Sequence, residues 1–233
     1  MKFRRENNII FDEELYNKEY VYKDRIDAGA YLAQICKTVL DKVDIVYAIP
    51  RGGVPIGYKV ASILNAEFDL IICRKLLIPW NREAGFGAVD PSGNIYIDKE
   101  FASMLGLSEK DIRKAIKEQL EEIKNRNKVL RGGRDYPDLT GKSVLLTDDG
   151  IAGGYTMETA IKFVKFKNAS KAYVAVPTGS LNSVIRLSKI VDLIICPNIR
   201  SGAVFAVADA YKYWRDLTDE DILQYIKNIQ NKI

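Results

Sequence analysis

Residues 143–160 read SVLLTDDGIAGGYTMETA. An apolar run stops at two adjacent carboxylates, Asp148 and Asp149, and a glycine-rich turn follows. Successive strand residues point to opposite faces, so a strand continuing through both acids would drive one into the core. An unpaired buried carboxylate costs several kcal/mol. The strand is therefore expected over Ser143–Thr147, with both acids at its carboxyl edge, where open α/β sheets bind ligands. The next residues, Gly150 to Thr156, carry little bulk before Tyr155. Glycines permit unusual backbone angles and close approach of a ligand. A helix expected near Thr156 to Phe166 would present unpaired N–H groups and the positive end of its dipole, a setting that suits phosphate. Thr156 can add a hydroxyl donor or cap that helix. The matching ligand carries a phosphate on one side and hydroxyls or Mg²⁺ on the other, as a sugar phosphate with a vicinal diol does.

Outward from this turn, short apolar runs alternate with amphipathic stretches. Strands are expected at Asp44–Ile49, Phe68–Cys73, Lys171–Val176 and Val191–Cys196, with helices at Val54–Leu64 and Leu181–Ser188. Continuous apolar runs separated by helices indicate a parallel sheet buried on both faces. The fold class is α/β: an open, mostly parallel twisted sheet flanked by helices. Asp24 is placed to cap a helix running through DAGAYLAQICKTVL. Gly85–Ile97 reads as a hairpin turning at PSG. Ser108 opens a capping-box-like signal for a long polar helix to about Val129, with Ile112, Ile116, Leu120 and Ile123 on one face. Thr218 opens the last helix. The glycines of LRGGRD, after Leu130, read as a helix stop. A single domain over 1–233 is expected, with a core of about 24–200 and a hood from 201–233 joined by 1–23.

The 233 residues are 47% hydrophobic and 28% charged, with net charge +4, which permits a sizeable core and weakly favours an anionic ligand. Acidic and basic residues are mixed along the chain, so nucleic acid is not an expected partner. There is no histidine. Histidine triads, histidine general bases and histidine-ligated zinc are thereby excluded. Cys36, Cys73 and Cys196 lie far apart beside apolar residues and read as buried thiols of a reducing cytoplasm. No apolar h-region and no membrane-length apolar run occurs, so the expected location is the cytoplasm. The glycines at 150, 153 and 154 fit neither the P-loop nor the dinucleotide fingerprint.

LLTDDGIAGGYTM resembles the motif of type I phosphoribosyltransferases that binds 5-phosphoribosyl 1-diphosphate (PRPP). The resemblance implies that Asp148 and Asp149 bind the ribose hydroxyls and, directly or through water, Mg²⁺. It implies that Gly150, Ile151, Ala152, Gly153, Gly154, Tyr155 and Thr156 wrap the 5′-phosphate. Gly153 stands where the family usually has threonine, which shifts phosphate binding toward backbone N–H groups and Thr156. AIPRGGVPIG resembles the family's pyrophosphate loop, with Arg51, Gly52 and Gly53 at the same sheet edge. Arg74 and Lys75 end the second strand, and a loop through Pro79, Asn81 and Gly85 corresponds to the family's flexible loop over the reaction centre. Together with RGGRDYPDLTGKSVLLTDDG, the likeness runs from about Asp24 to Asp221. It points to a bacterial and archaeal subgroup whose acceptor it does not supply.

The implied reaction moves the 5-phosphoribosyl group to a nucleobase nitrogen with release of pyrophosphate, as in nucleotide salvage. Arg51, Lys75 and Arg74 would stabilise the leaving group. Members with an aspartate base in this loop carry it where Ala152 stands, so the hypoxanthine/guanine type is disfavoured. Phe205, Tyr211, Tyr213 and Trp214, in FAVADAYKYWRD, are stacking candidates for the base; Phe11, Tyr16, Tyr20 and Tyr22 could add to them. A homodimer is the default assembly. A PRPP-sensing regulator and a Mg²⁺-dependent phosphosugar or nucleotide hydrolase are the alternative readings.

Overall fold

A computed structural model describes residues 2–202 and 204–230, with the backbone alone at 82–84, 229 and 230. In chain order the elements are β1 (Phe3–Glu6), β2 (Ile9–Asp12), α1 (Arg25–Val39), β3 (Ile45–Ala48), α2 (Gly53–Leu64), β4 (Glu67–Leu70), β5 (Arg74–Ile78), β6 (Asn81–Val89) and β7 (Ile95–Ile97). There follow α3 (Lys99–Met104), α4 (Glu109–Arg131), β8 (Ser143–Thr147), α5 (Tyr155–Phe166), β9 (Lys171–Ala175), β10 (Thr178–Ser180), α6 (Leu181–Ser188), β11 (Leu193–Ile195), β12 (Asn198–Arg200), a 3₁₀ turn (Val207–Ala210) and α7 (Asp219–Gln230).

Every residue of β3, β8 and β11 is buried. Helices cover both faces, so alternation along the strand separates two cores rather than core from solvent. Val46, Leu145 and Ile195 pack under Leu32, Ile35, Cys36, Ile56 and Val60 of α1 and α2. Their neighbours Ile45, Tyr47, Val144 and Leu146 pack under Met157, Ile161, Val164 and Leu187 of α5 and α6. The sheet order is β1-β2-β11-β9-β8-β3-β4, parallel except for the β1–β2 hairpin. The open α/β class holds, and the N-terminal residues enter the main sheet through β2.

The long polar helix forms as its signals dictate. Ser108 and Asp111 make a reciprocal capping box, and Gly132 ends the helix at φ 64°. The segment after the second strand differs from expectation. The loop expected through Pro79, Asn81 and Gly85 is largely strand: Arg74–Ile78 pairs antiparallel with β6, which already begins at Asn81, includes Gly85 and pairs in turn with β7. Pro79 and Trp80 form the turn between β5 and β6. Backbone pairing along β6 thus satisfies groups that a loop would leave to water. Segments 20–23 and 209–213 also pair. Tyr20 and Tyr22 donate their N–H groups to the carbonyls of Asp209 and Ala210, and Lys212 and Tyr213 donate back to those of Tyr22 and Lys23.

Candidate active site

β3 and β8 are adjacent and parallel, with Ala48 beside Thr147. The chain leaves β3 through Pro50–Gly52 into α2 on one face, and leaves β8 through Asp148–Gly154 into α5 on the other. That divergence opens the crevice in which open α/β sheets place their ligands. The Pro50–Arg51 peptide is cis. The two loops touch through glycine. A Cβ on Gly52 would lie 1.9 Å from Oδ2 of Asp149, and one on Gly53 would lie 2.8 Å from both Cα of Asp148 and the carbonyl of Thr147. Sequence analysis put these loops at one edge; the structure places them in contact.

Asp148 and Asp149 directly follow β8 at this edge, and both are half-buried. Oδ1 of Asp148 accepts the N–H of Asp149 at 2.8 Å. The Asp149 side chain is 15% exposed and meets the Arg25 guanidinium, whose Nε and Nη2 lie 3.0 and 2.9 Å from Oδ2. Burial, then the charge of Asp149, raises the Asp148 carboxyl well above the ordinary range. Burial also raises Asp149, while Arg25 opposes the shift. Two carboxylates sharing a site cannot both ionise freely, and the arginine favours Asp149 as the charged member.

Arg25 was missed by sequence reasoning, yet it leaves a signal. It falls on the buried stripe of α1 with Ala28, Gly29, Leu32 and Cys36. A cation on an apolar stripe implies a buried partner. Trp214 stacks on this guanidinium at 3.7 Å, and the Tyr211 hydroxyl donates to the Asp149 carbonyl at 2.6 Å. Tyr211 is 1% exposed. It therefore supports the acid pair from behind and has no open ring face for a base, a correction to its expected stacking role. Tyr213 and Trp214 are exposed, while Phe205 is half-buried beside Arg200.

In the turn between β8 and α5 the backbone carbonyls are held by α6 and the residue before it. The Ser180 hydroxyl donates to the Ala152 carbonyl at 2.9 Å, and the Ser183 hydroxyl joins it at 2.5 Å. Arg186 donates to the Gly153 carbonyl at 2.6 Å and pairs with Glu158. Among the described residues, no acceptor meets the N–H groups of Ala152, Gly153, Gly154, Tyr155 or Thr156. Gly154 sits at φ 75°, and no side chain caps α5. Carbonyls fixed on one side and free N–H groups at a helix start form an anion cradle. Ile151 is a correction: its N–H donates to the Thr178 carbonyl at 3.0 Å and its carbonyl accepts from Ser180 at 2.9 Å. Its backbone groups are spent in the fold.

The basic residues divide. Arg51 is exposed on the glycine turn. Arg74 is half-buried, with Nε 3.3 Å from Oε1 of Gln119. Burial lowers its pKa, and the nearby charges of Arg126 and Arg51 lower it further. Arg126, which sequence analysis overlooked, is held to Glu122 at 2.6 Å. Lys75 lies on β5 opposite Ala88. Arg131 pairs with Asp69 at 2.8 Å and stacks on Tyr136, away from the crevice.

Among the described residues, no group of three or more Asp, Glu or Cys side chains gathers as a metal cage. Hard carboxylate oxygens at Asp148 and Asp149 suit Mg²⁺ when substrate oxygens and water supply the other ligands. The donor set thus fits a metal that arrives with its substrate.

The sheet order and the crevice between the diverging loops define an open α/β fold with a ligand-binding edge. The chain is homologous to two proteins of Mycobacterium tuberculosis, from strains CDC 1551 / Oshkosh and H37Rv, each named "putative phosphoribosyl transferase". Identity to each is 32% over 207 residues, taking in 88% of this chain and 46% of the relative. The chain thus spans about half the length of the curated relatives it matches. The crystal structure of TT1426 from Thermus thermophilus superposes with TM-score 0.73 and 28% identity, covering 89% of this chain and 98% of that one. No family model matches the chain. Among the described residues, no helix is long and apolar enough to cross a membrane.

Proposed function

We propose that the protein transfers the 5-phosphoribosyl group of PRPP to a nitrogen of a nucleobase. The observation that carries this reading is the contact of the two loops: the pyrophosphate-type turn at Gly52 abuts the carboxylate of Asp149, beside a cradle of free N–H groups. One ligand with a diphosphate, a diol and a 5′-phosphate matches all three features.

The nitrogen lone pair attacks C1 of the ribose as the C1–oxygen bond breaks, and that electron pair leaves with pyrophosphate. The proton carried by the acceptor nitrogen passes to solvent. Asp148 and Asp149 hold the ribose hydroxyls and would hold Mg²⁺, directly or through water; the metal would supply positive charge against the diphosphate. Arg51, with the N–H of Gly52, receives the leaving group, aided by Lys75 and Arg74, whereas the Gly53 N–H is already donated to the Ile49 carbonyl at 3.1 Å; a planar guanidinium suits phosphate oxygens. Ala152, Gly153, Gly154, Tyr155 and Thr156 hold the 5′-phosphate. Catalysis rests on orientation and stabilisation of separating charge rather than on a protein base. Tyr213 and Trp214, with Phe205 at the rim, are assigned to the acceptor. The β5–β6 hairpin is assigned as the cover that excludes water. We place the reaction in cytoplasmic nucleotide salvage, carried out by a homodimer.

The test is pyrophosphate release from PRPP with Mg²⁺ across adenine, guanine, hypoxanthine, xanthine, uracil and orotate. Turnover with one base is expected. A thermal shift with PRPP and no turnover on any base would instead favour a PRPP-sensing regulator.

A further inference from the structure

The Arg25 guanidinium has three interaction directions, and each has a different partner. Nε and Nη2 converge on Oδ2 of Asp149, at 3.0 and 2.9 Å. Nη1 donates to the Arg215 carbonyl at 2.9 Å. Its flat face lies 3.7 Å from the centre of the Trp214 ring. The side chain is only 9% exposed, and its backbone is fixed by Asp24, whose Oδ1 caps α1 through the N–H groups of Ile26 and Asp27. A second path runs parallel to this one. The Tyr211 hydroxyl reaches the Asp149 carbonyl at 2.6 Å, and the Tyr211 and Trp214 rings lie 5.3 Å apart. A 440 Å³ cleft, lined by Pro55, Tyr213, Trp214 and Tyr225, opens beside this stack.

We infer that Arg25 is a positioning residue that ties the aromatic segment 211–215 to the ribose-binding carboxylate, so that donor binding and the acceptor-side surface are set together. Both nitrogens bind one oxygen of Asp149, Oδ2. A rigid planar group transmits a change at the carboxylate to the indole with little slack, because it has no torsion between Nε and the stacked face. Lysine would keep the charge but lose the fork and the stack. The inference rests on the proposed function for the identity of the ligand at Asp149. The coupling of Asp149 to Trp214 is a property of the protein alone.

The experiment uses the full chain carrying Trp80→Phe, which leaves Trp214 as its only tryptophan. Without ligand, Arg25→Lys and Asp149→Asn are each expected to shift Trp214 emission to the red while the far-ultraviolet circular dichroism is unchanged. Unshifted emission in both variants would overturn the inference, whatever the protein binds. In turnover assays Arg25→Met is expected to raise the KM for PRPP on the order of tenfold, the loss of about one charge-assisted hydrogen bond, with Arg25→Lys intermediate. Trp214→Leu, at a partly exposed position that does not touch the donor, is expected to raise the same KM, which keeps the test decisive should the Arg25 variants fail to fold. An unchanged KM for PRPP in Trp214→Leu would overturn the coupling. If the parent protein neither binds nor turns over PRPP, the proposed function falls, while the emission shifts still judge the Asp149–Arg25–Trp214 link.

Discussion

The Cα of Gly52 stands so close to Asp149 that a methyl group there would lie 1.9 Å from Oδ2 and 2.3 Å from Cγ. The obstacle is the end of a side chain, so Gly52→Ala is expected to displace the carboxylate from Arg25 while leaving the fold intact. PRPP affinity should fall on the order of tenfold or more, the loss of about one charge-assisted hydrogen bond. At Gly53 the obstacles are the Thr147 carbonyl and Cα of Asp148, which cannot swing away. Gly53→Ala should therefore lower stability by about 1–3 kcal/mol, the usual cost of overpacking. Calorimetric titration with PRPP and thermal melts of both variants check the contrast; equal effects on stability would contradict it.

Asp148 links stability to pH. Burial and the charge of Asp149 raise its carboxyl in the folded state. The contribution of such a group is fully present below the unfolded value of about 3.9 and is lost as pH rises through the folded value. Asp148→Asn removes that loss. The variant should melt higher than the parent at pH 8 and show a smaller gain at pH 4, while losing PRPP binding. In a domain of this size ~1 kcal/mol corresponds to roughly 2–4 °C. A variant that melts lower than the parent at pH 8 would contradict the assigned direction.

Gly153 has room. A Cβ there meets nothing closer than the Tyr155 ring, at 3.5 Å, and its φ is not left-handed. Gly153→Thr is expected to fold normally and to tighten PRPP by adding a hydroxyl beside the cradle, worth about 1 kcal/mol or some fivefold in affinity. A weaker complex would mean that the loop does not face the 5′-phosphate in the assigned way.

Burial raises all three thiols: Cys36 to about 12, and Cys73 and Cys196 well above the ordinary value. The thiolate is the reactive species, so none should react with an aromatic disulfide reagent at pH 8 in the native protein. All three should react in denaturant, as spectrophotometric thiol counting will show.

Much of the sheet was legible because its strands are short, apolar and bounded by glycine turns. The acid pair was legible because a strand could not carry both charges inward. The β5 strand was not. RKLLIP lacks alternation and ends in proline, and only its pairing with β6 makes it a strand. The site's supports were hidden for a related reason. Arg25 is 124 residues from Asp149, and Ser183 and Arg186 are 31 and 33 residues from the carbonyls they hold. Local pattern does not encode such distances, although a cation on the buried stripe of α1 announces that a partner exists. Tyr211 and Trp214 look alike in an aromatic run. Chain pairing between 20–23 and 209–213 buries one and leaves the other at the surface.

Whether Asp149 holds the ribose of PRPP in a crevice that releases pyrophosphate is decided by Mg²⁺-dependent pyrophosphate release from PRPP by the parent protein and Asp149→Asn, with each base of the panel, alongside calorimetric PRPP titration. The expected result is turnover on one base by the parent, and PRPP binding weakened at least tenfold in Asp149→Asn, as loss of a charged hydrogen-bond acceptor requires. Equal PRPP affinity in the two proteins, or no pyrophosphate from the parent with any base, would contradict it.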